Sequence, residues 1–86
     1  MASYRIEWKA SASRELKRVD RSIVPRIVEA VGQLAENPFP QGCRKLQGGG
    51  NNYRIRVGDY RVVYQVADQC LTVVIVRVRH RKDAYR

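Results

Sequence analysis

The chain has 86 residues, which is one small domain with one hydrophobic core. Its hydrophobic content of 44% is too high for a disordered chain, because such a composition can bury enough apolar surface to order itself. Its 17 Lys and Arg against 8 Asp and Glu leave a net charge of +9, which points to nucleic acid, an anionic surface or an acidic protein as partner.

Thirteen of those cations are Arg and four are Lys. Solubility alone does not require that bias, whereas the planar guanidinium fork binds phosphate bidentately and stacks on bases. No apolar run reaches membrane-spanning length and the first residues do not form a signal peptide, so a cytoplasmic chain without a membrane partner is expected. Cys43 and Cys70 fit no metal-ligand spacing and are expected as free thiols. With His80 as the single histidine, neither a metal site nor a cofactor is expected.

Tyr4, Ile6 and Trp8 alternate with Arg5 and Glu7, a short first strand with Trp8 as a core aromatic. A helical stretch follows over residues 10–19. Ala12, Leu16 and Val19 fall on one side, and the charges of Arg14, Glu15, Lys17 and Arg18 read as a solvated face. A second helix carries the stripe Ile23, Ile27, Val31 and Leu34, thickened by Val24, Val28 and Ala35. Asp20 or Ser22 is its N-cap; Ser22 places Pro25 in the first turn, where a missing N–H is harmless. Asn37-Pro38 ends it, since the residue before Pro is driven out of the α region. Residues 37–51 read as a loop, pinned to the body by Phe39 and Leu46. Its Gly48-Gly49-Gly50 run lacks the Lys-Ser/Thr ending of a phosphate loop and leads into a strand.

The stretch from Asn52 to Val66 is the strongest signal. Two period-2 runs flank Gly58-Asp59, the signature of a β-hairpin with a two-residue turn. If Val57 pairs with Tyr60, Arg56 lies opposite Arg61 and Arg54 opposite Val63. Arg54, Arg56 and Arg61 then share one face, and Tyr53, Ile55, Val57, Val62 and Tyr64 the other. Like charges directly opposite on a sheet are destabilising, and such local faults are where function is often found. Asp68-Gln69 turns the chain into a last strand from Cys70 to about Val78, apolar on both faces and therefore central. That turn places Val76 opposite Arg61. The order β-α-α-β-β-β predicts an α+β fold, two helices on one face of a small antiparallel sheet. The open face would carry a concave cationic patch, completed by the basic end containing Arg79, His80, Arg81 and Tyr85 and suited to a phosphate and a stacked base.

Three pieces, Leu34-Ala-Glu-Asn-Pro38, Tyr53-Arg-Ile-Arg-Val-Gly-Asp-Tyr-Arg-Val-Val-Tyr64 and Val78-Arg-His-Arg-Lys-Asp-Ala-Tyr85, resemble the RelE/ParE toxin superfamily, RelE-like branch. The resemblance runs over nearly the whole chain and implies a single RelE-like toxin domain over residues 1–86. It implies the toxin of a type II toxin–antitoxin pair that enters the ribosomal A site, against 16S rRNA, and cuts mRNA there. It also implies a cognate antitoxin that wraps the toxin in a hetero-oligomer. Carried over by position, it makes Arg54, Arg56, Arg61, Arg81 and Tyr85 catalytic, with His80 a further candidate. Beside these, the basic residues Arg44, Lys45, Arg79 and Lys82 are expected to bind RNA. Where the archetype of the branch has lysines, this chain has Arg54 and Arg56, and its segment between Arg81 and Tyr85 is shorter. The implied chemistry is metal-independent, using the RNA 2′-OH as nucleophile and leaving a 2′,3′-cyclic phosphate and a 5′-OH. Three rivals stand beside it: a ParE-like poison of DNA gyrase, a non-catalytic RNA-binding module, and a toxin fold that has lost activity.

Overall fold

The computed structural model describes residues 3–48 and 50–82. Strand β1 (Arg5–Trp8) is followed by helices α1 (Ala10–Leu16) and α2 (Val24–Gln33). Strands β2 (Arg44–Lys45), β3 (Asn52–Val57), β4 (Tyr60–Ala67) and β5 (Thr72–His80) follow. The strands form one sheet in the order β1-β5-β4-β3-β2. Both helices pack on one of its faces: Ala12, Ile27, Val31 and Leu34 meet Ile55, Val57, Val62, Tyr64, Val66, Val73, Ile75 and Val78 in one core. None of the described helices is long and apolar enough to cross a membrane.

The expected α+β fold with helices on one face is found, with two differences in the sheet. β1 runs parallel to β5, Ile6 opposite Val73 and Trp8 opposite Ile75, so the sheet is mixed rather than antiparallel. Alternation of apolar residues sets which face a strand buries; it carries no information on the direction of two strands far apart in sequence. The expected loop over residues 37–51 also contains a strand. Arg44 pairs with Arg54 and Lys45 with Tyr53. The turn between them is closed by the Leu46 N–H donating to the Asn52 carbonyl at 2.8 Å and uses Gly48 at φ 106°, a conformation that disfavours side chains. Of the two expected pins, Phe39 is 43% exposed but stands edge-on to Tyr53 with centroids 5.0 Å apart, while Leu46 is tied down through its backbone. Buried Tyr64 donates its hydroxyl to the Pro38 carbonyl at 2.7 Å.

The helix ends differ from the sequence reading. Neither candidate caps α2: its N-cap is Ile23, and the Asp20 carboxylate instead accepts both the Ser22 N–H and the Ser22 hydroxyl at 2.9 Å. These bonds lower the carboxyl's pKa, the backbone bond most. α2 stops at Gln33, before Asn37-Pro38, and runs out through tight turns to Asn37.

The β3–β4 hairpin has the expected register: Val57 pairs with Tyr60, Arg56 with Arg61 and Arg54 with Val63. Gly58 takes φ 60° in its turn. The register of β5 does not follow the expectation. The link after β4 is not a two-residue turn but the 3-10 turn Asp68–Cys70 plus Leu71 at φ 47°, so β5 starts at Thr72 and Leu71 lies outside the strand, 43% exposed. A bulge then intervenes: Val63 pairs with Arg77 but Tyr64 with Ile75, leaving Val76 over. Arg79, not Val76, stands opposite Arg61.

Candidate functional site

The bulge decides which side chains line the open face. Before it, Val73 and Ile75 point to the core at 0% exposure, and strict alternation would send Arg77 and Arg79 after them. The extra residue reverses the parity. Val78 becomes the core residue, 3% exposed and opposite Val62, while Arg77 and Arg79 turn to the face of Arg54, Arg56 and Arg61. Cross-strand neighbours share a face, so two lateral rows follow from the register. One is Arg44, Arg54, Val63 and Arg77; the other is Arg56, Arg61 and Arg79. The Nε of Arg61 is shielded from solvent, which strengthens its field on any anion brought to the row.

Arg81 joins the second row from the end of β5. Its N–H donates to the Asp59 carbonyl at 2.7 Å, and its Nε is 3.9 Å from the Asp59 carboxylate. With Arg56, Arg61 and Asp59 it lines a recess of about 50 Å³ beside the hairpin turn. That ion pair is exposed on both sides and holds the side chain only weakly.

The remaining candidates separate. Arg44 stands in the first row. Lys45 lies opposite Tyr53, hence on the other face of the sheet edge from the arginines. His80 faces away as well: it pairs with Tyr60, the two rings edge-on at 5.2 Å, and its Nδ1 accepts the Lys82 N–H at 3.2 Å. Both rings line a cleft of about 340 Å³ between α1 and the end of β5, on the helix side. Lys82 follows the strand and is exposed. Tyr85 lies outside the described residues.

Two participants were missed by sequence. Arg77 was hidden because period 2 assigns it to the buried side of β5; the change from apolar to Arg between Ile75 and Arg77 is its one trace in the sequence, and it does not by itself locate a bulge. Glu15 was read as part of a solvated run. Its side chain is only 23% exposed, and its Oε1 accepts the Val78 N–H at 2.9 Å. Its Oε2 lies 3.4 Å from the Arg79 Nε, close enough to pair but not aligned as a hydrogen bond, and 3.6 Å from Arg77.

The face can therefore hold several phosphates of a single strand in fixed register, with guanidinium donors converging where extra negative charge develops on one of them.

Known proteins share this architecture. The family model for the ParE toxin of the type II toxin–antitoxin system parDE matches residues 6–85. Toxin RelG of Mycobacterium tuberculosis is 34% identical over 84 residues, covering 96% of this chain and 97% of its own length. The mRNA interferase toxin RelE of Escherichia coli K12 is 25% identical over 87 residues, covering 96% of this chain and 90% of its own. A chain of the toxin–antitoxin complex RelBE2 from Mycobacterium tuberculosis superposes with a TM-score of 0.79 at 31% identity, over 91% of this chain and 98% of that one. A family match running from residue 6 to residue 85, joined by relatives and a solved structure named for RelE and RelG, shows that the chain belongs to the ParE toxin family of type II toxin–antitoxin systems and is a toxin of the RelE type.

Proposed function

We propose that this chain is a ribosome-dependent endoribonuclease that cuts mRNA in the A site and is silenced by a cognate antitoxin, with which it forms a hetero-oligomer in the cytoplasm. The observation that carries this reading is the row Arg56, Arg61 and Arg79 with Arg81 at its end. It is supported by the relative named an mRNA interferase and by the neighbour solved as a toxin–antitoxin complex. An antitoxin with acidic segments would complement the net charge of +9.

The bond chemistry in this reading draws on no metal or cofactor. The 2′-OH attacks the adjacent phosphorus, the bond to the 5′ oxygen breaks, and a 2′,3′-cyclic phosphate and a 5′-OH result. The 2′ proton passes to solvent water and the departing 5′ oxygen takes one up from solvent, so the proton count closes without a change in any arginine. Arg54 and Arg61 stabilise the charge on the phosphorane, Arg56 aligns the 2′-OH, and Arg81 donates a hydrogen bond to the departing oxygen. A guanidinium stays protonated in water at any working pH, so none of these is a general base. Preorganised charge, rather than proton abstraction by the protein, carries the rate. Arg44, Arg79 and Lys82 hold neighbouring phosphates, and Tyr85 stacks on a base. Among the described residues no three of His, Cys, Asp and Glu converge as a metal site would require. Cleavage on preformed ribosome complexes should accordingly survive a short chase with EDTA.

A second reading, poisoning of DNA gyrase, is favoured by the family model's own description as a ParE toxin. Toeprinting of a translated message with purified protein separates the two. Cuts at the A-site codon support the nuclease, and an intact message with gyrase-dependent DNA breaks overturns it.

A further inference from the structure

β5 is paired on both sides only along its first half. β1 covers Thr72 to Ile75, and the Lys9 N–H closes that ladder on the Ile75 carbonyl at 2.9 Å. Past this point the β1-side edge of β5 faces α1 instead of a strand. This is also where the bulge falls and where Arg77 and Arg79 leave for the open face. Past the bulge β5 is held by the β4 ladder alone, with no strand among the described residues on its other edge to fix its twist.

Glu15 fills that position. One carboxylate oxygen accepts the Val78 N–H at 2.9 Å, and the other lies within 3.6 Å of both Arg77 and Arg79, the residues flanking Val78. Its place in α1 is locally unfavourable. It lies in the last turn of a helix ending at Leu16, where the macrodipole disfavours a carboxylate, and the helix has no acid in its first turn, where one would help. A residue that breaks the local rule is kept for a tertiary reason.

We infer that Glu15 is a positioning residue for the cleavage reaction: it clamps the bulged half of β5 and sets Arg79 against Arg61, and through the strand end Arg81, at the spacing the phosphate requires. The inference rests on the proposed nuclease reading. It also explains why a face built to attract RNA keeps a carboxylate beside it, at a cost in polyanion affinity.

Glu15→Gln tests it, because the amide oxygen can still accept the Val78 N–H while the charge on Arg77 and Arg79 is lost. Removing a negative charge raises the net charge by one, so affinity for programmed ribosomes should stay or tighten. A purely electrostatic view then expects equal or faster cleavage. Positioning expects the opposite sign: single-turnover cleavage at saturating ribosomes should fall on the order of tenfold or more, since a misplacement of about 1 Å can cost ~10²-fold. In an Arg79→Ala background the same substitution should cost less, because the nearer of its two guanidinium partners is gone. Circular dichroism and a denaturant midpoint check folding, and Glu15→Asp, with the charge restored on a shorter arm, should recover part of the rate. Wild-type protein that does not cut on ribosomes overturns the nuclease reading and this role with it. Wild-type protein that cuts while Glu15→Gln, folded, cuts as fast overturns this role alone. Full additivity of Glu15→Gln with Arg79→Ala also overturns it.

Discussion

The two faces of the sheet are made of the same strands and differ by one step of parity. On the helix side, Ile55, Val57, Val62, Tyr64 and Val78 are all 7% exposed or less, and burial is a sufficient reason for each. On the open side, Arg54, Arg56, Arg61, Arg77 and Arg79 gather in adjacent register, where like charges repel and no apolar gain offsets them. The helix face is what folding needs. The arginine face is tolerated by the fold and maintained, at the bulge, by a clamp from another element. Substitutions on the two faces should therefore fail in different assays.

The largest separation is expected at Arg81. Arg81→Ala should lower single-turnover cleavage by about 10²–10³, the typical loss of one electrostatic donor at the transition state. Ribosome affinity and folding should change little, because its ion pair with Asp59 is long and exposed. Arg14→Ala, on the exposed side of α1, is the matching control for charge alone. Wild-type cleavage by Arg81→Ala would place the chemistry elsewhere.

The reverse pattern is expected at Tyr64. Tyr64→Phe leaves the buried Pro38 carbonyl without the hydroxyl that now donates to it, which should cost about 1–3 kcal/mol of stability with the cleavage rate unchanged. The same hydroxyl carries a pH signature. Burial first, and the Cys43 thiol second, push its pKa above the ordinary value near 10. A raised folded-state pKa means that its contribution is complete below about pH 10 and is lost as pH rises beyond it. Denaturant midpoints should fall on going to about pH 11 in wild type, and less steeply in Tyr64→Phe. Parallel curves would show that the hydroxyl is not the group titrating.

Arg54 tests the open face by binding rather than rate. Arg54→Ala should flatten the slope of log affinity against log salt by roughly one, the share of one released counterion. An unchanged slope would remove Arg54 from the phosphate contacts and leave its row to Arg44 and Arg77.

These contrasts also mark what the sequence could and could not disclose. The hairpin was legible because Gly58-Asp59 fixes a turn and the alternation around it fixes the register, so Arg54, Arg56 and Arg61 could be placed on one face without coordinates. The far end of β5 was not. Its register depends on the left-handed Leu71 and on the bulge at Val76, neither of which follows from the composition of a run that is apolar on both sides. For the same reason Arg77 was invisible, Arg79 was placed without its partner, and Val76 was expected where Arg79 stands. Glu15 was lost because a charge in a helical run is ordinarily solvated, and only the open edge of β5 gives it a partner. Lys45 was drawn to the RNA by its charge alone; its pairing with Tyr53 puts it on the other face.

The smallest effect is expected at His80. As the single histidine of the chain it is the natural candidate for proton transfer in a site otherwise made of arginine. A general acid or base typically contributes about 10²–10⁴ in rate. Its ring, however, pairs with Tyr60 on the helix side of the sheet, edge-on at 5.2 Å, and its Nδ1 already accepts the Lys82 N–H. One parity step separates it from Arg79 and Arg81, which stand on the arginine side. His80→Ala should therefore cost less than about tenfold in single-turnover cleavage and leave the shape of the pH–rate profile unchanged. It should lower stability by about 0.5–1.5 kcal/mol, the worth of an edge-to-face aromatic pair. His80→Phe should restore that stability without altering the rate. A loss of about 10² or more in His80→Ala, with one limb of the pH–rate profile abolished, would mean that β5 rotates when RNA binds and that the parity of its last residues is not fixed.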